Sequence, residues 1–204
     1  MTAIAESHPA QDQRSAEILD RVRYAFAEKG FDGTSMQDLA RAAGISVGNF
    51  YRYFPSKAAI VEALIARDLQ EIEAEFGSVS ASADPKAALR DAILRHMDGD
   101  HCEGQMMAEI SAVALRKPEV AAIVATMEAR VTDYLTGIFA QITGLPRQVC
   151  ATRFKAHAVL LIMMVKATAM HPEQDEVQRA NLTALILRTI DRTLDDIVAE
   201  ASKG

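Results

Sequence analysis

The chain has 204 residues and a formal net charge of −6, with half its residues hydrophobic and a quarter charged, which suits one large domain or a small domain joined to a larger one. About 70% of the unfolded surface is buried on folding at this length, so neither disulfides nor structural metals are needed to hold the fold. Two cysteines, Cys102 and Cys150, and an N-terminal stretch without an apolar h-region point to a reducing cytoplasm and away from a disulfide-stapled secreted module.

Helical periodicity dominates from end to end, and no alternation of the β type persists. Residues 1–13 are small and polar and read as a flexible arm. Ile18, Val22, Ala25 and Phe26 then follow i, i+4, i+7, i+8 spacing and stop at Gly30, which accepts a left-handed conformation at low cost. Thr34-Ser35-Met36-Gln37 has the pattern of a capping box, with Thr34 as cap and Gln37 reaching back. It opens a short helix expected to bury Met36, Leu39, Ala40 and Ala43. Gly44 ends that helix, and Ser46 can cap a third in which Phe50 and Phe54 share a face. Ser56, after Pro55, begins a fourth that carries Ile60, Leu64 and Ile65.

Residues 77–84 read as a loop, and Asp84-Pro85 restarts a helix, since proline at the first helical position lacks only an orphan donor. Residues 99–104 break it. Helices at about 105–117, 118–143, 146–170 and 175–201 complete an all-α chain of about nine helices, with a helix-turn-helix domain over 14–58 and a larger helical domain over 59–204. The longest apolar run, residues 156–165, contains His157 and is about half what a membrane span requires, so no membrane partner is expected.

The charge is unevenly placed. Residues 1–57 hold seven basic and seven acidic side chains, and 39–57 carry Arg41, Arg52 and Lys57 with no acid. That is a small positive surface on an acidic protein, and also what an ordinary solvated face looks like. The short helices joined by Ala43-Gly44-Ile45-Ser46 form a helix-turn-helix candidate, with Gly44 for the tight turn and Ile45 plugging the angle. The outer side of the third helix offers Gly48 for close backbone approach, Asn49 for a bidentate bond to adenine, and Arg52 for guanine or phosphate. Four of the eleven aromatics fall in residues 50–54, and the hydroxyls of Tyr51 and Tyr53 suit phosphate oxygens.

Residues 14–64 resemble the DNA-binding domain of the TetR family of bacterial transcriptional regulators. The resemblance is carried by Gly30-Phe31-Asp32-Gly33-Thr34-Ser35-Met36, Asp38-Leu39-Ala40, Ala43-Gly44-Ile45-Ser46 and Phe50-Tyr51-Arg52-Tyr53-Phe54-Pro55-Ser56-Lys57. It covers about a quarter of the chain. Beyond residue 77 the likeness lies only in length, helix count and helix order. The resemblance implies a homodimer on a near-palindromic double-stranded operator, released when a small molecule binds the C-terminal domain. Carried over, Ser35 matches a phosphate contact and Gln37 a base reader. Ser46, Val47, Gly48 and Asn49 match positions near the bases, and Tyr51 and Tyr53 the phosphate-contacting pair. Lys57 would add its charge to a helix N-terminus that attracts anions. Arg52 stands where such proteins often carry an aromatic or apolar residue, which leaves base or backbone open as its target.

Plainer roles stand beside these. Gln37 can simply complete the cap with Thr34, Arg41 can be solvated, Lys57 can be a surface lysine, and the ring of Tyr51 can lie beside Phe50 and Phe54 with its hydroxyl outward. Phe31 reads as core. His96, His101 and Cys102 lie near Asp98, Asp100 and Glu103, but the two histidines are five apart rather than i, i+4, so a polar loop is expected and no metal site. No nucleophile and base are paired, so no catalytic residues and no cofactor are expected.

Methionines crowd the C-terminal region, and methionine adapts to irregular shapes in cores and binding surfaces alike. An effector cavity is expected among Met97, Met106, Met107, Ile110, Tyr134, Phe139 and Met164, with Glu109 or His157 as a polar handle and a largely apolar ligand. Val159, Ile162, Met163 and Lys166 on one helix, with Leu182, Leu185, Ile186, Thr189, Ile190, Leu194 and Ile197 on the last, suggest a dimer face formed by the last two helices, the alternative being burial within one subunit. The expectation is a dimeric, ligand-responsive DNA-binding regulator and not an enzyme, most simply a repressor. Its rival is a helical small-molecule-binding or metal-dependent enzyme that retains a DNA-binding-like module.

Overall fold

Ile18, Leu19, Val22 and Phe26, three or four residues apart, are all buried, and this inward stripe sets the first helix, α1 (Pro9–Lys29). The computed structural model describes residues 9–97, 101–171 and 175–203. Of the arm expected over 1–13, residues 1–8 lie outside the described residues. Residues 9–13 belong to α1, which opens on Pro9, where a missing N–H costs nothing.

α2 (Met36–Ala43) and α3 (Val47–Tyr53) are joined by a Schellman turn. Gly44, at φ +71°, donates to the Arg41 carbonyl, and Ile45 donates to that of Ala40, both at 3.1 Å. A side chain at Gly44 would be strained by that φ and would also stand 2.9 Å from the Arg21 guanidinium, which donates to the Ala43 carbonyl at 3.1 Å. Ile45 packs against the core between the two helices, as the sequence suggests. Leu39 and Phe50 are fully buried, and Leu39→Ala would cost about 2–5 kcal/mol.

The cap of α2 sits one residue later than the sequence pattern suggests. Thr34 is buried and donates its hydroxyl to the Gly30 carbonyl at 2.6 Å, closing the loop after α1. Ser35 is therefore the cap. Its Oγ accepts the Asp38 N–H at 3.1 Å, and Asp38 Oδ2 accepts the Ser35 N–H at 3.1 Å. Met36, expected to be buried, is only partly covered.

The long helix α4 (Lys57–Ser80) takes in residues 77–80, which the sequence suggested as loop, because buried Val79 holds its last turn down. Only 81–84 intervene before α5 (Pro85–Met97), where Asp84 accepts the Ala87 N–H at 3.0 Å. α6 (His101–Ala114) starts and ends earlier than expected, followed by α7 (Pro118–Thr143). The helix expected over 146–170 is two helices, α8 (Arg147–Arg153) and α9 (Lys155–Met170), bent by 66°. Phe154 leaves helical geometry at the break (φ −110°, ψ 13°), and the bend buries Cys150, Phe154 and Ala158 together. α10 (Glu176–Ala201) is capped by Asp175. Ten helices and no strand are thus present among the described residues, one helix more than the sequence suggests.

Two apolar cores organise the chain. The first unites α1, α2, α3 and the start of α4 with Met106, Ile110 and Val113 of α6 and Val120, Val124 and Met127 of α7. Apolar contact therefore runs across the boundary drawn at residue 58. The second gathers Val79, Leu89 and Ile93 with Phe139, Phe154, Leu161, Ile190, Leu194 and Ile197. Gly104 of α6 touches α9 so closely that a Cβ there would lie 2.0 Å from the Ala169 carbonyl oxygen.

Candidate nucleic-acid interface and ligand cavity

On the outer face of the helix-turn-helix, Gln37, Gly48 and Arg52 are exposed, and Asn49 is half-buried at the first turn of α3. Ser46 caps that helix, its Oγ accepting the Asn49 N–H at 3.3 Å. Gly48 lies within α3, where glycine weakens a helix by roughly 0.5–1 kcal/mol relative to alanine. A Cβ added there would meet nothing within 4 Å, so no internal contact requires the glycine. Asp38 completes the α2 capping box, which leaves Gln37 outside the cap that its bland role needed.

The ring of Tyr51 differs from expectation. The ring of Tyr51 does not join the Phe50–Phe54 pair, whose centroids are 5.7 Å apart; Tyr51 is 48% exposed. Tyr53 packs on the core, with its ring 6.3 Å from that of Phe54. Val47 is also partly packed against the core.

Lys57 turns inward. Its Nζ donates to the Phe31 carbonyl at 2.5 Å and the Thr34 carbonyl at 2.9 Å, and lies 4.6 Å from the centre of the Phe31 ring. This clamp on the α1–α2 loop was not legible from a lysine beside a helix start. Desolvation lowers its pKa from the ordinary lysine value, partly offset by Asp32. One N–H remains for another acceptor.

Two acids near the interface are held below the ordinary carboxylate range. Hydrogen bonds from the Ser35 hydroxyl and then its backbone N–H lower Asp38. Those from Arg116, at 3.1 Å, and from Lys117 lower Asp32.

Behind this domain lies a cavity of about 830 Å³, within the range of small-molecule sites. Met97, Met106 and Met107 line it as expected; the other suggested residues do not. Ile110 is in the first core and Phe139 in the second. Glu109 points to the loop between α1 and α2 and accepts the Phe31 N–H at 3.2 Å. The Tyr134 ring lies 5.6 Å from that of Phe76, a wall residue, tilted by 31°. His157 sits edge-on to Phe154 at 5.5 Å, and Met164 packs on the second core. A 3.6-residue period marks each of these faces as inward but cannot tell a cavity wall from a packed core.

Residues missed by the sequence reading include Phe76, Val79, Leu89, Met127, Leu161 and Val165, with Glu71, His96, Lys166, His171 and Arg179 as polar members. The side chains of His101, Cys102 and Glu103, with residues 98 and 100, fall outside the described residues. Among the described residues, no group of three or more potential ligands is placed to hold a metal ion. No single described helix is long and apolar enough to cross a membrane.

The sequence profile of the bacterial regulatory proteins of the tetR family matches residues 18–64, the span that builds this interface. The chain is 28% identical over 126 residues to the HTH-type transcriptional regulator UidR of Escherichia coli strain K12, covering 62% of this chain and 64% of UidR. It is 30% identical over 122 residues to the HTH-type transcriptional repressor KstR2 of Rhodococcus jostii, covering 59% of this chain and 57% of KstR2. It thus spans less than two thirds of each. The structure of Salmonella enterica GusR superposes with a TM-score of 0.75 at 23% identity, covering 95% of this chain and 98% of that one. Residues 18–64 thus match the TetR family, and the chain as a whole shares its fold with GusR.

Proposed function

We propose that this protein is a transcriptional repressor working in the cytoplasm, which binds a near-palindromic operator through α3 and releases it when a small, largely apolar molecule fills the cavity. Gly48 carries the DNA-binding half of this proposal: a glycine exposed within the second helix of a helix-turn-helix, with nothing inside the protein to require it, fits a backbone that approaches another surface closely. Around it, Asn49 and Gln37 suit base edges, with Val47 beside them, and Arg52 suits guanine or phosphate. Ser35, Ser46, Tyr51 and Tyr53 suit phosphate oxygens, and Lys57 has one N–H left for one.

Dimerisation supports reading two half-sites, and the last helices offer a face for it. Val159, Leu160 and Leu185 are exposed, as is Met163 at 61%. Ile190, Leu194 and Ile197 are buried within the subunit, so the face is narrower than the sequence reading suggests. The cavity and the DNA-binding domain share elements. Asp68 of α4 lines the cavity and pairs with Arg23 of α1 at 2.5 Å. Met106 and Met107 of α6 line it three and two residues before Glu109, which meets Phe31. An occupant that favours a different placement of α4 and α6 would shift the spacing of the two α3 helices.

Fluorescence anisotropy on duplexes differing at single base pairs tests the assignment. Asn49→Ala should relax the preference at one base pair per half-site by about 1–3 kcal/mol. An unchanged preference profile would remove Asn49 from the readers. Light scattering should give a dimer at micromolar concentration, and a monomer would rule out the dimer face.

A further inference from the structure

The cavity is lined by both apolar and charged side chains, and the charges are unequally answered. Met97, Met106, Met107, Met127 and Leu161 supply adaptable apolar surface. On the α4 wall, Asp68 pairs with Arg23 at 2.5 Å and Glu75 with Arg95 at 2.8 Å. Lys166 is answered by Glu128 at 2.6 Å. Glu71, exposed on α4, is left on the acidic side. Arg179 and His96, neither of which forms an ion pair with a described residue, line the cavity too, as does His171.

These nitrogen donors come from separate elements. His96 lies in the last turn of α5, His171 caps the end of α9, and Arg179 is in the first turn of α10. A guanidinium presents a planar fork that matches carboxylate and phosphate oxygens, and a charge-assisted bond of that kind is roughly twice as strong as a neutral one. We propose that the cavity takes an amphipathic anion: an apolar tail against the methionine-rich walls, and a carboxylate or phosphate head on Arg179, with His96 and His171 as further donors. In calling this occupant the effector, the proposal rests on the regulator function above; the binding chemistry itself does not.

Four probes with the same ten-carbon tail, each below its micelle concentration, separate the possibilities on the full chain by calorimetry and thermal shift: decanoate, decyl phosphate, decanol and decyltrimethylammonium. Decanoate, decyl phosphate or both should bind at least about tenfold tighter than decanol, with their ranking naming the head group. Arg179→Ala should remove most of that preference while leaving decanol binding unchanged. Equal or tighter binding of decanol or the cation, no binding of either anion, or an Arg179→Ala variant that keeps the preference would overturn the proposal. Binding of the unliganded protein to duplex DNA, measured on the same preparation, keeps the two failures apart. Duplex binding without anion binding overturns the ligand class alone, and loss of duplex binding overturns the regulator function alone.

Discussion

Glu109 Oε2 accepts the backbone N–H of Phe31 at 3.2 Å, tying α6 to the loop between α1 and α2. Phe31 is held on its other side by Lys57, and its ring stacks on Phe26 at 5.6 Å. One residue therefore joins the cavity-lining helix, the core of the helix-turn-helix and the start of α4. Glu109→Ala should lower unfolding stability by about 1–3 kcal/mol, since a hydrogen bond to a charged group is lost and the Phe31 N–H is left without its partner. It should also weaken the response of DNA affinity to a cavity ligand. Denaturant unfolding and anisotropy measured with and without ligand check both, and an unchanged midpoint with unchanged release would show that the bond does neither.

Gly48→Ala separates folding from binding. The new methyl group meets open space and alanine favours the helix, so stability should rise by about 0.5–1 kcal/mol while affinity for duplex falls. Thermal unfolding and a binding isotherm on one preparation suffice. A variant that is more stable and binds as tightly as the parent would show that Gly48 does not abut DNA.

Lys57→Met should act first on the fold. Removing Nζ deprives the Phe31 and Thr34 carbonyls of their donor, at a cost of about 1–3 kcal/mol for each buried acceptor left unsatisfied. A salt slope of DNA binding reduced by about one, with stability unchanged, would instead make Lys57 chiefly a phosphate contact.

Asp38 links stability to acid pH. Hydrogen bonds from Ser35 favour its ionised form and hold its pKa in the folded chain below the ordinary 3.8. Its contribution to stability is therefore complete above about pH 3.8 and is lost as the pH falls through the lower, folded value. Carboxyl titration by NMR should show the depressed value, with Ser35→Ala moving it back toward 3.8; a titration unaffected by Ser35→Ala would break the link.

How far the sequence reveals these features depends on whether the physics is local. The helix-turn-helix was legible because Gly44, Ser46 and the Phe50–Phe54 pair act within a few residues of one another. The α2 cap was misplaced by one residue because Thr34 and Ser35 are chemically alike, and only the fold turns Thr34 inward. The contacts of Lys57 and Glu109 are not legible in the sequence because their partner, Phe31, is 26 and 78 residues away. The break at Phe154 has no glycine or proline to announce it; it follows from which side chains the second core accepts. Three methionines of the cavity were found by composition, whereas Glu71, His96, His171 and Arg179 have no shared period to unite them.

The most direct test is selection of bound duplexes from a random pool by the purified chain, in dilute buffer with no added small molecule, followed by affinity measurement across salt concentrations. The account predicts recovery of a near-palindromic site whose half-sites lie about one helical turn apart, bound with an affinity that falls steeply with salt. Failure to retain any duplex under those conditions would contradict it.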